Sequence, residues 1–364
     1  MGIKELLTSM LPGFLKKEIP ALPTEVKESS GFGSGFYIKP IKTPEEPTLK
    51  ECIEEFIAQY LIQERVNPNS TSKAYKAFRR MFCSEEEDIG KNEKKQNDLH
   101  KIVRRNNDSL GSQISNDRLT FMHISGRNGL SEKTSPEMEK LYINCDRRNI
   151  AALAKEIYMR IRGIAGEELQ MKFLSEQIYK SLNQADETNK PIKNYQRNDR
   201  IVIYAKDHRK TEMFAEEIKE LRREKPELFS TTKSLPLLPK KHGFIGIARG
   251  DSLFCAKTPF GILSAQTYNK LLANVMFESV VAAFDMEKFG YVLINGSEET
   301  TPIDERMRTY VENFDKMSQK QRDDVVNCGA ELFVDFCRDN NISTVYTPDI
   351  PITPAKTSPE YFQK

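Results

Sequence analysis

Arg200-Ile201-Val202-Ile203-Tyr204-Ala205 is a β-branched apolar run too short to make a helix. A few charged residues later the chain enters Thr211 to Arg223, where Met213, Phe214, Ile218 and Leu221 recur at helical spacing. The grammar is strand, turn, helix. A second copy lies upstream, where Lys140-Leu141-Tyr142-Ile143-Asn144 precedes a segment with Ile150, Leu153, Ala154, Ile157 and Ile161 on one face. Two such units predict an α+β fold: a central, mostly antiparallel sheet built from strand-helix units, flanked by helices, with a helical C-terminal part.

The rest of the chain divides around that core. Residues 1–47 hold a short amphipathic piece and then prolines, serines and Gly31-Phe32-Gly33-Ser34-Gly35, which reads as a flexible leader and linker. No strand precedes the glycines and no helix opens after them, so they are not a phosphate loop. Residues 48–117 form a helical segment with a charged loop. Thr48-Leu49-Lys50-Glu51 is a capping box, and Cys52, Ile53, Phe56, Ile57, Tyr60 and Leu61 continue a helical stripe from it. From Ser84 to Asn116 the composition turns acidic, then basic, as a solvated loop does. The core is expected over 118–285, with strands at Leu119 to Ser125, Leu169 to Phe173 and Gly243 to Ala248, and a long helix from Ser264 to Phe284. C-terminal helices follow over 286–346, with Val325, Leu332, Phe333 and Phe336 as a stripe, and 347–364 is a proline-containing tail.

Several classes are excluded by composition. With 55 basic and 53 acidic residues the formal net charge is +2, so no global field argues for nucleic acid or a membrane surface, and neither is expected as a partner. The most apolar stretch, Ala273 to Phe284, carries Asn274 and Glu278 and is too short to span a bilayer. Lys4, Glu5 and Pro12 break up what would be a secretory signal peptide. The six cysteines, Cys52, Cys83, Cys145, Cys255, Cys328 and Cys337, contain no C-x-x-C pair and have only four histidines to join them. Structural zinc is therefore not expected, and thiols in apolar runs fit a reducing, cytoplasmic environment.

The succession Lys140 to Asn144 with its helix, Leu169 to Leu174, Arg200 to Tyr204 with its helix, Phe244 to Ala248 and Thr258-Pro259-Phe260-Gly261 resembles the Hrp outer protein A (HopA) family. That family contains type III secreted effectors of plant pathogens and related lyases of class V lanthipeptide biosynthesis. The resemblance covers Leu119 to Phe284. Through it the chain is remotely similar to the phosphothreonine lyases of the OspF and SpvC type, which remove phosphate from phosphothreonine by β-elimination without metal or nucleotide. The resemblance thus implies a phosphorylated protein or peptide substrate and no cofactor.

Such chemistry needs a base for the α-proton, a proton donor or cation for the departing phosphate, and cations to hold the dianion. The lyases' Lys-x-His aligns with Lys140-Leu141-Tyr142, which makes Lys140 and Tyr142 the candidate catalytic pair, with tyrosine where histidine is the rule. To act as a base, Lys140 would have to titrate near neutrality and not at the ordinary value of about 10.4, a difference of about 4 kcal/mol. Lys172 aligns with a phosphate-binding lysine, and Arg200, Arg249 and Lys257 complete the candidate phosphate site. Ser264 stands where HopA-type sequences carry an arginine, and the helix expected to begin there is a further anion-friendly element. His123 and His242 are read as ordinary histidines, and no metal site is expected.

Two functions follow. One is a HopA-like effector or lyase that eliminates phosphate from phosphothreonine or phosphoserine, acting in the cytoplasm or, after type III secretion, in a host cytosol. Its leader would then engage a secretion chaperone. The other is a non-catalytic protein that binds phosphopeptides or proteins after losing the lyase activity.

Overall fold

The computed structural model describes residues 47–66, 68–82, 96, 98–99, 101–104, 113–116, 121–130, 137–145, 149–174, 199–229, 237–249, 254–265, 267–294 and 301–344. The tail and all but the last residue of the leader lie outside them, as do Cys83 and much of the charged loop.

In chain order the elements are α1 (Leu49–Val66), α2 (Lys73–Arg80), β1 (Gln113–Asn116), β2 (Phe121–Ser125), β3 (Glu139–Ile143), α3 (Ile150–Ala165), β4 (Gln170–Leu174), β5 (Ile201–Ala205) and α4 (His208–Glu224). They continue with β6 (Lys240–Lys241), β7 (Ile245–Arg249), β8 (Phe254–Thr258), β9 (Gly261–Ala265), α5 (Tyr268–Phe289), α6 (Ile303–Phe314) and α7 (Gln319–Asp339). The fold is α+β.

Seven strands form one sheet in the order β1-β2-β4-β5-β3-β7-β6, and every neighbouring pair is antiparallel. The two strand-helix units explain that order. β3 and β4 both pair with β5, so they run parallel to each other and α3 crosses between them. β5 and β7 likewise flank β3, with α4 in their connection. Each crossover skips one strand and the other unit fills the gap. The two repeats seen in the sequence are therefore interlocked, with β3 and β5 side by side at the centre and buried along their whole length.

Side chains alternate between the faces of a sheet, and residues paired across strands share a face. One face carries Ile124, Met171, Phe173, Ile201, Ile203, Leu141, Ile143, Ile245 and Ile247, all fully buried. α3 and α4 pack on β4, β5 and β3 and on each other. Glu139, in phase with Leu141, meets His208 of α4 with Oε2 3.2 Å from Nδ1, which places α4 over this apolar face. Lys210 of α4 in turn donates to the Ile164 carbonyl of α3. α4 starts where Asp207 accepts from the Lys210 amide at 2.8 Å.

The remaining helices pack together on α5, which contacts α1, α2, α6, α7 and the β8–β9 hairpin. The Thr48 capping box forms: the Thr48 amide donates to Glu51 at 2.6 Å, and the Glu51 amide donates to the Thr48 hydroxyl at 3.3 Å. Asp285 of α5 is fully buried and accepts from Arg306 (2.6 Å), the Tyr310 hydroxyl (2.6 Å) and the Leu293 amide (3.0 Å), tying α5 to α6. Burial and this bond to Asp285 both push the Tyr310 phenol up. The five described cysteines form no disulfide. No described helix is long and apolar enough to cross a membrane.

Two boundaries depart from the sequence expectations. The long helix begins at Tyr268, not Ser264, because Gly261 to Ala265 pairs with Phe254 to Thr258 as a hairpin. Gly261, at φ +130, closes its turn, and Thr267 caps the helix by accepting from the Lys270 amide at 3.2 Å. The region after Pro302 is helical as expected, as two helices separated where Ser318 and Gln321 make a capping box that starts α7. The end of the charged loop, Gln113–Asn116, is strand β1.

Candidate functional site

The face of the sheet opposite α4 holds a different set of residues. Two cross-strand rows define it. Ser125, Gln170, Tyr204, Lys140 and Ala248 lie in one row, and His123, Lys172, Val202, Tyr142 and Gly246 in the next. Lys140 and Tyr142, two residues apart on β3, therefore share a face with Lys172 on β4. The alternation that buries Leu141 and Ile143 under α4 dictates this placement.

The lysines meet around one aromatic ring. The Lys140 Nζ is 5.0 Å from the centroid of the Tyr204 ring and the Lys172 Nζ is 5.8 Å from it. Lys172 also lies 4.7 Å from the Phe121 ring centroid. Lys140 is 4% exposed, Tyr142 5% and Tyr204 7%, whereas Lys172 and His123 are half-buried. Ring faces attract ammonium groups by about 0.5–2 kcal/mol. Removing an ammonium from water costs several kcal/mol, so the rings offset only part of that cost. An ammonium on a partly buried surface attracts an anion more strongly than it would in bulk water.

The other expected phosphate ligands are placed differently. Arg200 keeps the phase of Val202 and Tyr204, but its Nη1 donates to the Cys145 carbonyl at 2.8 Å in a buried bond that joins β5 to the end of β3. Arg249 pairs in register with Glu139, so it lies on the α4 face, away from Lys140 and Lys172. Lys257 is exposed on β8 in the separate two-stranded sheet, where its amide donates to Asn340 at 2.6 Å and its carbonyl accepts from Asn340 at 2.9 Å. Ser264 lies within β9, so the helix N-terminus expected there is displaced to Tyr268. The fold thus brings together Lys140, Tyr142 and Lys172, and separates Arg249 and Lys257 from them.

Three residues absent from the expected site share its face: Tyr204, Phe121 and His123. His123 is opposite Lys172 in the ladder, and its ring makes an edge contact with Phe121, centroids 6.4 Å apart. The alternation Phe121, His123, Ser125 against Met122 and Ile124 carried this information. Which strand β2 would join was not legible without the pairing.

No protein-family profile matches the chain, and no curated protein does either. Among solved structures, the effector protein from Pseudomonas syringae pv. syringae strain 61 is 14% identical, with 72% of this chain and 92% of that chain covered and a TM-score of 0.36. The effector protein from Pseudomonas syringae pv. tomato strain DC3000 is 12% identical, covering 71% of this chain and 92% of that chain, with a TM-score of 0.39.

Proposed function

We propose that the polar face of the central sheet binds a phosphorylated threonine or serine side chain, and that the protein is a HopA-like effector-type lyase that eliminates the phosphate. The observation that carries this reading is the meeting of Lys140 and Lys172 at the Tyr204 ring. In this reading Lys172 holds phosphate oxygens. Lys140, in its amine form, takes the α-proton; the Cα–H electron pair becomes the Cα=Cβ bond, and the Cβ–O bond breaks with its electrons leaving on phosphate. Tyr142, on the same strand and face as Lys140, is a hydroxyl donor for charge developing in the site. The sequence resemblance supports the effector context, with action in the bacterial or a host cytoplasm and a chaperone at the leader.

The test is incubation with phosphothreonine and phosphoserine peptides, read by mass spectrometry. Loss of the elements of phosphoric acid, with an alkene at the former threonine, is the expected result. Unchanged peptide mass over a range of sequences would sink the lyase reading. A non-catalytic phosphopeptide binder is the second reading, favoured by the placement of Arg249 and Lys257 away from the lysine pair. It predicts saturable binding, weakened by Lys172→Ala, with no elimination.

A further inference from the structure

The register of β2 against β4 gives the proposed site a direction. Lys172 has His123 directly opposite it, and such pairs hold their Cβ atoms about 4.5–5.5 Å apart. Lys140 lies on the other side of Tyr204, two strands from Lys172 and three from His123. A phosphate held by Lys172 therefore has the imidazole beside it, while the carbon skeleton of the substrate extends across Tyr204 toward Lys140. Tyr142 is in the row of Lys172 but on the strand of Lys140, with Val202 of β5 between them.

We infer that His123 is a further functional residue of this site: it contacts the phosphate beside Lys172 and gives the proton that the departing phosphate oxygen requires. The inference rests on the phosphate-site reading above. In the step, His123 starts as imidazolium and ends neutral, Lys140 starts as amine and ends as ammonium, and the products are the dehydrated residue and phosphate. One proton is taken and one given, with no change of oxidation state. Imidazole is suited to this because it is the side chain most often used as a general acid or base. The charged or titratable groups that share its face, among the described residues, are Lys172 on β4, Tyr204 on β5 with Arg200 just before that strand, Lys140 and Tyr142 on β3, and Lys240 on β6. Its register partner on β1 is Ser115, which does not titrate.

Sulfate is the discriminating probe, since it remains a dianion from pH 5.5 to 8.5 and its own charge does not confuse the titration. Calorimetric titration of the full chain should show sulfate binding several-fold tighter at pH 5.5 than at pH 8.5. His123→Gln should lessen that pH dependence, what remains coming from protonation of Lys140, and Lys172→Ala should weaken binding at both pH values. With a phosphothreonine peptide, H123Q should lower kcat at least tenfold and abolish the limb of the pH profile that falls as pH rises. A wild-type pH dependence retained in H123Q, with wild-type turnover, would reject His123 and leave the site standing. Absence of both sulfate and phosphopeptide binding in the wild-type chain would reject the site itself, and His123 with it.

Discussion

The two faces of the central sheet are made by the same strands yet built on opposite rules. Under α3 and α4, Leu141, Ile203, Met171 and Phe173 are apolar and fully buried, and their packing accounts for the fold. One residue away on each strand stand Lys140, Tyr204, Gln170 and Lys172, groups that resist burial, yet Lys140 is as hidden as many core residues. Hydrophobic patterning explains the first face and is violated by the second. A sheet that gathers lysines on its central strands loses stability locally, and such departures from local rules are concentrated where a ligand is handled. Scaffold and proposed site thus alternate within single strands.

The sharpest way to break the comparison is to substitute neighbours. Leu141→Ala should cost about 2–5 kcal/mol of unfolding free energy, since it deletes packed methyl groups under α4. Lys140→Met should change stability by less than about 1.5 kcal/mol, because the chain length and volume are kept, while abolishing elimination. Urea denaturation paired with the peptide assay checks both. Equal destabilisation by the two would mean that the polar face is scaffold as well.

A buried acid elsewhere provides the next test. Glu278 of α5 accepts from Thr258 in the hairpin turn, and burial raises its carboxyl from 4.5 to about 7 despite that bond. A carboxyl whose folded-state pKa is raised binds more protons folded than unfolded between those values. Its contribution to stability is thus greatest below pH 4.5, falls as pH rises toward 7, and is constant above. Glu278→Gln should remove this loss, raising stability at pH 8 by up to about 3 kcal/mol relative to its effect at pH 4.5. A variant with the same pH slope as wild type would contradict the assignment. Unlike Lys140, Glu278 has no place in the proposed site, so phosphopeptide binding should not change.

Smaller effects complete the contrast. Lys172→Ala should weaken phosphothreonine peptide binding about 10–100-fold, equivalent to about 1.4–2.8 kcal/mol, with little change in melting behaviour. Ser318→Ala removes the two hydrogen bonds of the Ser318 hydroxyl, to the Gln321 side chain and from the Gln321 amide, and should cost about 1 kcal/mol with no effect on binding.

The scaffold was legible because it obeys periodicity. β3, β5, α3 and α4 follow from β-branched runs and helical stripes, and the Thr48 cap forms as its residues require. The interlocking of the two crossovers was not legible, because spacing along a strand says nothing about which strand fills the gap. Hairpin β8–β9 was concealed for a related reason: Gly261 to Ala265 is short and half-exposed, and only pairing with Phe254 to Thr258 stabilises it as a strand. At the site, Lys140, Tyr142 and Lys172 came from the resemblance, and alternation alone then puts them on one face. Arg249 lies a single residue from Ala248, which is in phase with Lys140, and that one step sends it to the other side. His123 required the β2–β4 register.

The most direct test of the account is a crystal structure of the chain soaked with phosphate. It predicts a phosphate on the polar face of the sheet, with oxygens within about 2.7–3.2 Å of the Lys172 Nζ atom and beside His123, on the Lys172 side of the Tyr204 ring. Phosphate bound only elsewhere, with that face empty at a concentration that protects the protein from unfolding, would contradict it.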